Sequence, residues 1–404
     1  MDLSYSSEAE AYRETVAKFL ADNWPLKEDE KEGLSYDEQC TVFRERATEA
    51  GYLYRNIPKQ YGGSEQEPDV LLAQVIREEF TRTWAPMEAR GIGTMMLVPT
   101  LLERGEEWMK DKFVVKTLLG EIKWCQGYSE PGSGSDLASL KTRGEIVGDE
   151  WVINGQKIWT TNAHEADYMF ILVRTEPDAS KHAGISYLLI DMHQPGIEVR
   201  PLRTMTGTAE FNEVFLSDAK TPKDWIVGKR GEGWNVSRTT LKHERNSIGA
   251  TEQTNAFFAG LVKLAQESKI DGKPAIENER VRAQLSELEG YIMAHKYSGY
   301  RGLTADATGN DPGIIRLMTK LASTEIGHRV AKLSMDLMGD DGMMGAGQAR
   351  MGAGVSGSQA WLGQYMYSLG IAIAGGSANI QRNVIAERGL GLPRDAAADR
   401  SKLK

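Results

Sequence analysis

A short segment of small residues could bring backbone groups close to a polar ligand. The nine residues from Tyr128 to Asp136 read YSEPGSGSD and contain three serines and three residues that are glycine or proline. Only small residues let a backbone approach a ligand closely, and serine hydroxyls add donors at the same place. A flexible loop has the same composition, so both interpretations stay open for this segment taken alone.

A second segment with several hydrogen-bonding groups is KIWTTN, from Lys157 to Asn162. Its alternation predicts a strand in which Ile158 and Trp159 pack, and two threonines and an asparagine follow at its end. Packing explains the apolar residues without a ligand. The segment alone does not distinguish a structural strand from a binding edge.

Glu244 is a carboxylate at an apolar position. Apolar residues between 234 and 265 recur at helical spacing, and Glu244 falls on their stripe, three residues after Leu241 and four before Ile248. Burial raises the pKa of a carboxyl group, which makes a glutamate a competent general base near neutral pH. The alternative is a structural ion pair with Arg245 or with a partner helix.

The tail from Gly375 to Arg388, GGSANIQRNVIAER, places a Gly-Gly turn before a helix start. A helix N-terminus can bind an anion, although Gly-Gly before a helix is usually only a turn. The six histidines have no metal-binding spacing, and the chain contains no G-x-x-x-x-G-K-[ST] phosphate loop. We therefore predict no bound metal.

The composition limits the class of protein. The chain of 404 residues has 41% hydrophobic and 26% charged residues, which is typical of folded, water-soluble proteins. Its net charge of −9 argues against binding nucleic acid through bulk positive potential. The two cysteines, Cys40 and Cys125, suit a reducing compartment, and no apolar run approaches the roughly 20 residues of a spanning helix. We expect a cytoplasmic protein.

Three blocks of different periodicity must position these segments. Helical spacing dominates residues 1–122, short β-rich runs fill 123–230, and helical spacing returns over 231–404. The lack of strand–helix alternation argues against a doubly wound nucleotide-binding fold and predicts an α+β protein with a small central barrel or sandwich. Asn154-Gly155 lies between two β-rich runs and predicts a hairpin turn there.

Four motifs in this order, YSEPGSGSD, KIWTTN, FNEVFLSDAKTPKDWIVG and IQRNVIAER, closely resemble the acyl-CoA dehydrogenase family over essentially the whole chain. The resemblance implies an N-terminal helical domain, a central β-barrel and a C-terminal four-helix bundle, with FAD lying where barrel and bundle meet. It also implies α,β-dehydrogenation of an acyl-CoA thioester to the trans-2-enoyl-CoA, with electrons passed to electron-transferring flavoprotein.

Matching positions imply which residues contact FAD and substrate. The YSEPGSGSD loop is implied to touch the flavin and the pantetheine arm of the substrate, and the tail to touch the FAD phosphate and ribose region. The end of KIWTTN is implied to lie beside the isoalloxazine ring, with Thr161 near flavin N5. The implied cofactor contacts are Gly127, Tyr128, Ser129, Gly134, Ser135, Trp159, Thr160, Thr161, Ser377 and Asn379, and Ser135 also faces substrate.

The catalytic base departs from the commonest pattern of the family. Many members carry the glutamate at the tail position that is Gly375 here, whereas a subset resembling isovaleryl-CoA dehydrogenase and several actinobacterial sterol side-chain enzymes carries it on a bundle helix before an arginine. Glu244-Arg245 matches that subset. The resemblance implies Glu244 as the base for the pro-R α-proton and the Gly375 N–H as a donor to the enolate oxygen. Arg245 either orients Glu244 at the substrate or forms a structural pair.

Two further departures concern a neighbouring subunit. Residues 268–272 lack an arginine that in many relatives grips a neighbour's FAD pyrophosphate, and Asp336, ahead of residues 338–342, replaces a glutamine that reaches the same FAD. An aspartate would repel a pyrophosphate. The pattern resembles heterotetrameric α2β2 members with a homologous second subunit. The resemblance of the Glu244-type base to that of sterol and bile-acid enzymes favours a bulky sterol or bile-acid side-chain acyl-CoA as substrate. The alternatives are an FAD-binding subunit whose activity needs a partner and an acyl-CoA oxidase-like flavoenzyme. The Gly/Met-rich segment 342–357 has no assigned role.

Overall fold

The computed structural model describes residues 5–89, 91–247, 251–343 and 357–393. The chain divides into two compact units, which are described separately. The first unit comprises Met1–Glu130, Ala138–Val199 and Val214–Thr240, and the second comprises Pro131–Leu137, Arg200–Glu213 and Leu241–Lys404.

Helices form the N-terminal part of the first unit. The first of them begins after Ser6, whose hydroxyl accepts a hydrogen bond from the Ala9 N–H and so satisfies one free donor of the helix start. Their apolar faces share a buried core that includes Val16, Phe43 and Phe80. The helices are α1 Ser7–Asn23, α2 Glu28–Lys31, α3 Tyr36–Glu49, α4 Val70–Thr83, α5 Val98–Arg104 and α6 Glu107–Leu118.

A seven-stranded sheet follows in the order β1-β4-β2-β3-β7-β6, with β5 paired to β4. Strand β4 runs parallel to β1 and antiparallel to β5, and both β4 and β5 are almost entirely buried. The strands are β1 Trp124–Gly127, β2 Arg143–Val147, β3 Glu150–Thr161, β4 Tyr168–Arg174, β5 Ile185–Asp191, β6 Ile197–Leu202 and β7 Phe211–Pro222.

The hairpin predicted at Asn154-Gly155 is wrong. Strand β3 continues through both residues, and Asn154 pairs with Arg143 of β2. The turn lies instead at residues 148–149, where Gly148 has a φ of +65° that glycine adopts without strain. Gly155 is required by packing, since a Cβ there would lie 2.5 Å from Thr142 Oγ1.

Helices return after the sheet, and most of them lie in the second unit. Helix α10 packs against α8, α9 and α11, and their shared core includes Leu261, Leu285 and Trp361. A two-stranded hairpin, β8 Lys269–Ile270 and β9 Lys273–Pro274, connects α8 to α9. The helices are α7 Gly233–Ser247, α8 Thr251–Glu267, α9 Glu279–Ala307, α10 Ile314–Met338, α11 Gly357–Ile371 and α12 Ala378–Val384.

The order of helices, sheet and helices confirms the predicted α+β class. Among the described residues, no helix combines the length and the apolar character needed to cross a membrane. Cys40 and Cys125 are both buried free thiols.

Candidate functional site

The ends of β1 and β3 lie side by side in the first unit. The Ile158 N–H donates to the Ser129 carbonyl at 2.9 Å, which joins the start of the YSEPGSGSD segment to the KIWTTN strand. Gly127 ends β1 where a Cβ would lie 2.4 Å from Met169 Sδ, so the sheet core itself requires a glycine there. Tyr128 is buried edge-on against Phe170. Gly127 and Tyr128 therefore pack in the core of the sheet, and the exposed side chains of this region belong to other residues.

Trp159 has an unusual backbone and an exposed side chain. It adopts a φ of +60° near the end of β3, a left-handed conformation that is a marked outlier for a bulky residue. Its side chain is 58% exposed, although the indole is among the largest apolar groups in proteins. Its neighbour Thr160 is fully buried and Thr161 is half-buried. Strain of this kind persists where function requires it, so the observation points to a ligand surface at Trp159.

A buried ion pair lies directly behind these two strand ends. Lys157 is 0% exposed and its ammonium donates to Glu130 Oε1 at 2.8 Å and to the Tyr128 carbonyl at 3.2 Å. Burial lowers the pKa of Lys157 to about 8 against the opposing effect of Glu130. Burial raises the pKa of Glu130, but the charge and hydrogen bonds of Lys157 and two backbone donors outweigh it, and the net pKa lies below the ordinary value.

The Gly/Ser loop at residues 131–137 belongs to the second unit. The buried Ser133 hydroxyl donates to the carbonyl of Asp136 at 2.9 Å and closes the loop on itself. Gly134 and Ser135 are exposed, and a Cβ on Gly134 would meet no atom within 4 Å. The loop apex therefore has room for another group to approach its backbone closely.

Helix α7 carries Glu244 and Arg245 shortly before its end at Ser247. Their side chains lie outside the described residues. The earlier turns of this helix are anchored in the first unit, where Thr240 Oγ1 lies 3.0 Å from Thr100 Oγ1 on α5 and both residues are fully buried.

The tail turn of the second unit is held through its carbonyl groups. Gly375 and Gly376 both have positive φ, +61° and +94°. The Lys320 ammonium on α10, only 3% exposed, donates to the Gly376 carbonyl at 2.7 Å, and Gln381 Nε2 lies 3.4 Å from the Gly375 carbonyl. Ser377 then caps α12 by accepting from the Ile380 N–H, and Asn379 is exposed on the first turn. The turn is therefore fixed from the bundle side.

Comparison with known proteins decides the family. The N-terminal, middle and C-terminal domain models of acyl-CoA dehydrogenases match residues 6–121, 125–219 and 231–390. The chain belongs to the acyl-CoA dehydrogenase family. The predicted family, fold class and enzyme class are confirmed, and this acyl-CoA dehydrogenase is accordingly an oxidoreductase of a family that uses FAD.

Relatives and solved structures cover nearly the whole chain. The acyl-CoA dehydrogenase IpdE1 of Mycobacterium tuberculosis is 36% identical over 401 residues, which is 96% of this chain and 99% of that protein. The ChsE4-ChsE5 complex of the same organism has a TM-score of 0.76 at 26% identity, over 98% of this chain and 100% of the matched chain. A structure described as Tcur3481-Tcur3483 steroid ACAD has a TM-score of 0.77 at 26% identity, with the same coverage.

The residues at the ends of β1 and β3 and at the loop apex have chemistry that suits FAD. The exposed Trp159 indole provides a planar apolar surface for a ring system. Two half-buried residues add hydroxyl groups: Thr161 follows two positions later, and the carbonyl of Ser129 accepts a hydrogen bond from the neighbouring Ile158 N–H. The open space over Gly134 leaves the backbone accessible to a polar group. Within the described residues, no three His, Cys, Asp or Glu side chains are grouped to hold a metal ion.

The residues that lie behind the candidate site carry little signal in the sequence. Glu130 and Lys157 stand inside the two motifs, but nothing in their spacing indicates that they pair across 27 positions. Nothing in the sequence indicates that Lys320 is buried against the tail turn, because a single lysine on a helix is usually exposed to solvent. Gln381 belongs to the motif IQRNVIAER, but the motif does not indicate its contact with the tail turn.

Proposed function

We propose that this acyl-CoA dehydrogenase catalyses the FAD-dependent α,β-dehydrogenation of an acyl-CoA thioester to the trans-2-enoyl-CoA. The observation that carries the proposal is Trp159, a strained and exposed indole at the end of β3, next to the Ser129 backbone contact. Bound FAD supplies the acceptor for the β-hydride at flavin N5.

The chain's own residues hold the cofactor through neutral groups. In this proposal Trp159 contacts the isoalloxazine ring and Thr161 lies near flavin N5. The backbone of the segment 127–129, Thr160, Gly134 and Ser135 complete the flavin contacts, and Ser377 and Asn379 meet the phosphate and ribose region. Backbone N–H groups and hydroxyls can bind phosphate without cations, which is consistent with the net charge of −9.

Glu244 removes the α-proton in this proposal. A thioester α-proton is only weakly acidic, so the developing enolate oxygen needs preorganised donors. In this proposal the Gly375 N–H is such a donor, and the turn that follows it is held at the Gly375 and Gly376 carbonyls by Gln381 and Lys320. Gly375 has no side chain, which leaves space for the substrate, and Arg245 orients Glu244.

The substrate in this proposal is a bulky acyl-CoA of the steroid side-chain class. Support comes from the 26% identity to a protein described as a steroid ACAD over 98% of this chain. The physiological acceptor of the electrons is electron-transferring flavoprotein, and the chain assembles with a homologous subunit, as the ChsE4-ChsE5 complex does.

Glu244→Gln tests the chemistry. A glutamine cannot take up a proton, so turnover should fall by about 10²- to 10⁴-fold, the usual contribution of a general base. The measurement is the bleaching of the flavin absorbance by steroid side-chain acyl-CoA thioesters in stopped flow. Binding of the thioester, followed as a shift of the flavin spectrum without bleaching, should persist.

A matched control is Glu267→Gln at the exposed end of α8, where the carboxylate pairs with Lys263 at 3.8 Å. This variant should bleach at the wild-type rate. Wild-type bleaching by Glu244→Gln would exclude Glu244 as the base. Rapid reoxidation of the reduced flavin by oxygen with release of peroxide would instead favour an oxidase.

A further inference from the structure

The ion pair of Glu130 and Lys157 is almost completely buried, and a gain in stability does not explain such burial. Lys157 is 0% exposed and Glu130 is 8% exposed. Removing two charges from water opposes folding, and replacing such a pair by apolar residues is often neutral or stabilising. The buried pair therefore calls for a role other than stabilising the fold.

The carboxylate of Glu130 accepts hydrogen bonds from three donors, two on consecutive residues and one on β3. Its Oε2 accepts from the Lys141 N–H at 2.7 Å, and its Oε1 accepts from the Thr142 N–H at 2.9 Å and from Lys157 Nζ at 2.8 Å. If glutamine replaced Glu130, its amide oxygen could accept from Thr142 and Lys157, but its NH₂ group would then face the Lys141 N–H, which is also a donor. The arrangement therefore requires a carboxylate and has one geometry.

The ammonium of Lys157 connects this carboxylate to both outward-facing segments. It donates to the Tyr128 carbonyl at 3.2 Å, one residue before Ser129. It also stands two residues before Trp159 on β3, where Ile158 donates to the Ser129 carbonyl at 2.9 Å. The pair therefore sets the position of Ser129 relative to the strained turn of backbone at Trp159.

We infer that Glu130 and Lys157 are positioning residues for the flavin, holding Ser129 and Trp159 in the relative placement that binds the isoalloxazine ring. Neither side chain touches the cofactor. The inference rests on the proposed placement of the flavin at Trp159. In this inference the pair matters for the directions of its hydrogen bonds, which orient the flavin-binding segments, and not for a contribution to the stability of the fold.

The test is the retention of FAD by the purified holoenzyme, without acyl-CoA. Free flavin released on dilution is followed by its fluorescence, and bound flavin by its visible absorbance band. Lys157→Met should release FAD about tenfold faster than wild type, since losing directional hydrogen bonds to a buried carboxylate displaces its partners. Glu130→Gln should also release FAD faster than wild type, and the visible absorbance band of its bound flavin should be shifted in wavelength.

Ile190→Ala in β5 is the matched control. It truncates a fully buried side chain of the same sheet core without touching either residue of the pair. If its melting temperature falls as far as that of Lys157→Met but its flavin is retained, the pair acts through position. Equally fast release from the control, or wild-type retention by both pair variants, would overturn the inference. Should Lys157→Met fail to fold, Glu130→Gln and the double variant Glu130→Gln/Lys157→Gln decide the question.

A Trp159→Ala variant separates this inference from the proposed function. Faster release from Trp159→Ala with unchanged release from the pair variants would overturn the positioning role and leave the flavin placement intact. Unchanged release from Trp159→Ala would overturn the placement itself. The role of Glu244 does not enter, because no proton transfer takes place in this measurement.

Discussion

At the scale of single residues, Trp159 departs furthest from ordinary behaviour. A bulky residue at a φ of +60° costs of order 1–3 kcal/mol, and its side chain remains 58% exposed. Neither property helps the isolated chain to fold. Both are reasonable for a surface that is completed when a planar ligand covers it.

Lys157 gives a prediction about pH. Its pKa of about 8 lies below the ordinary value of 10.5, so the unfolded chain holds more protons between these two pH values. Its contribution to the free energy of unfolding should therefore rise as pH increases from 8 towards 10.5, by at most about 1.4 kcal/mol per pH unit.

The measurement is the urea midpoint of wild type and Lys157→Met at several pH values from 7 to 9.5. The stability of wild type relative to the variant should be constant below pH 8 and increase above it. A relative stability that falls above pH 8 would contradict a lowered pKa for Lys157.

At the scale of elements, the tail turn depends on a helix distant in sequence. Lys320 on α10 holds the Gly376 carbonyl at 2.7 Å across 56 positions. A trans peptide is planar, so a carbonyl held by Lys320 also fixes the N–H on the other side of the same peptide. Lys320 on α10 therefore fixes the orientation of the Gly376–Ser377 peptide, including the Ser377 N–H.

Lys320→Met should loosen this turn. It leaves the Gly376 carbonyl, which is half-buried, with the longer contact to Gln381 at 3.5 Å. The lost hydrogen bond should cost about 1 kcal/mol. We expect flavin reduction at saturating acyl-CoA to slow by about tenfold. Lys332→Met, at an exposed position of the same helix, is the control. Equal rates for the two variants would exclude a role for Lys320 in the turn.

At the scale of the whole molecule, two features bear on the expectation of a cofactor site shared between subunits: the acidic end of α10 and the stretch 268–272. Asp336, near the end of α10, is exposed, and so are Asp340 and Asp341 beyond it. The stretch 268–272 contains the tight turn of the β8–β9 hairpin, in which Asp271 and Gly272 have positive φ. Neither feature offers an arginine to the pyrophosphate of a neighbouring FAD.

We therefore expect this chain to need a homologous subunit for full cofactor content. Expressed alone, it should contain fewer than one FAD per chain and little activity, because its acidic face repels a neighbour's pyrophosphate. Coexpression with a homologous dehydrogenase subunit should raise both. Flavin absorbance per mole of chain and light scattering measure the outcome. One FAD per chain with full activity in the chain alone would contradict the prediction.

The sequence by itself determined the family and the order of helices and sheet, and it indicated the segments in which the site is proposed. Contiguous motifs and local periodicity suffice for these, because each depends on neighbours within a few residues. It failed at Asn154-Gly155, where a turn signal lies inside β3, since the adjacent Gly148 turn and the pairing with β2 overrode it. Only the tertiary structure decided that Trp159 is strained and exposed and that Glu130 and Lys157 meet in the interior. Burial and long-range pairing arise when distant segments pack, and no local pattern encodes them.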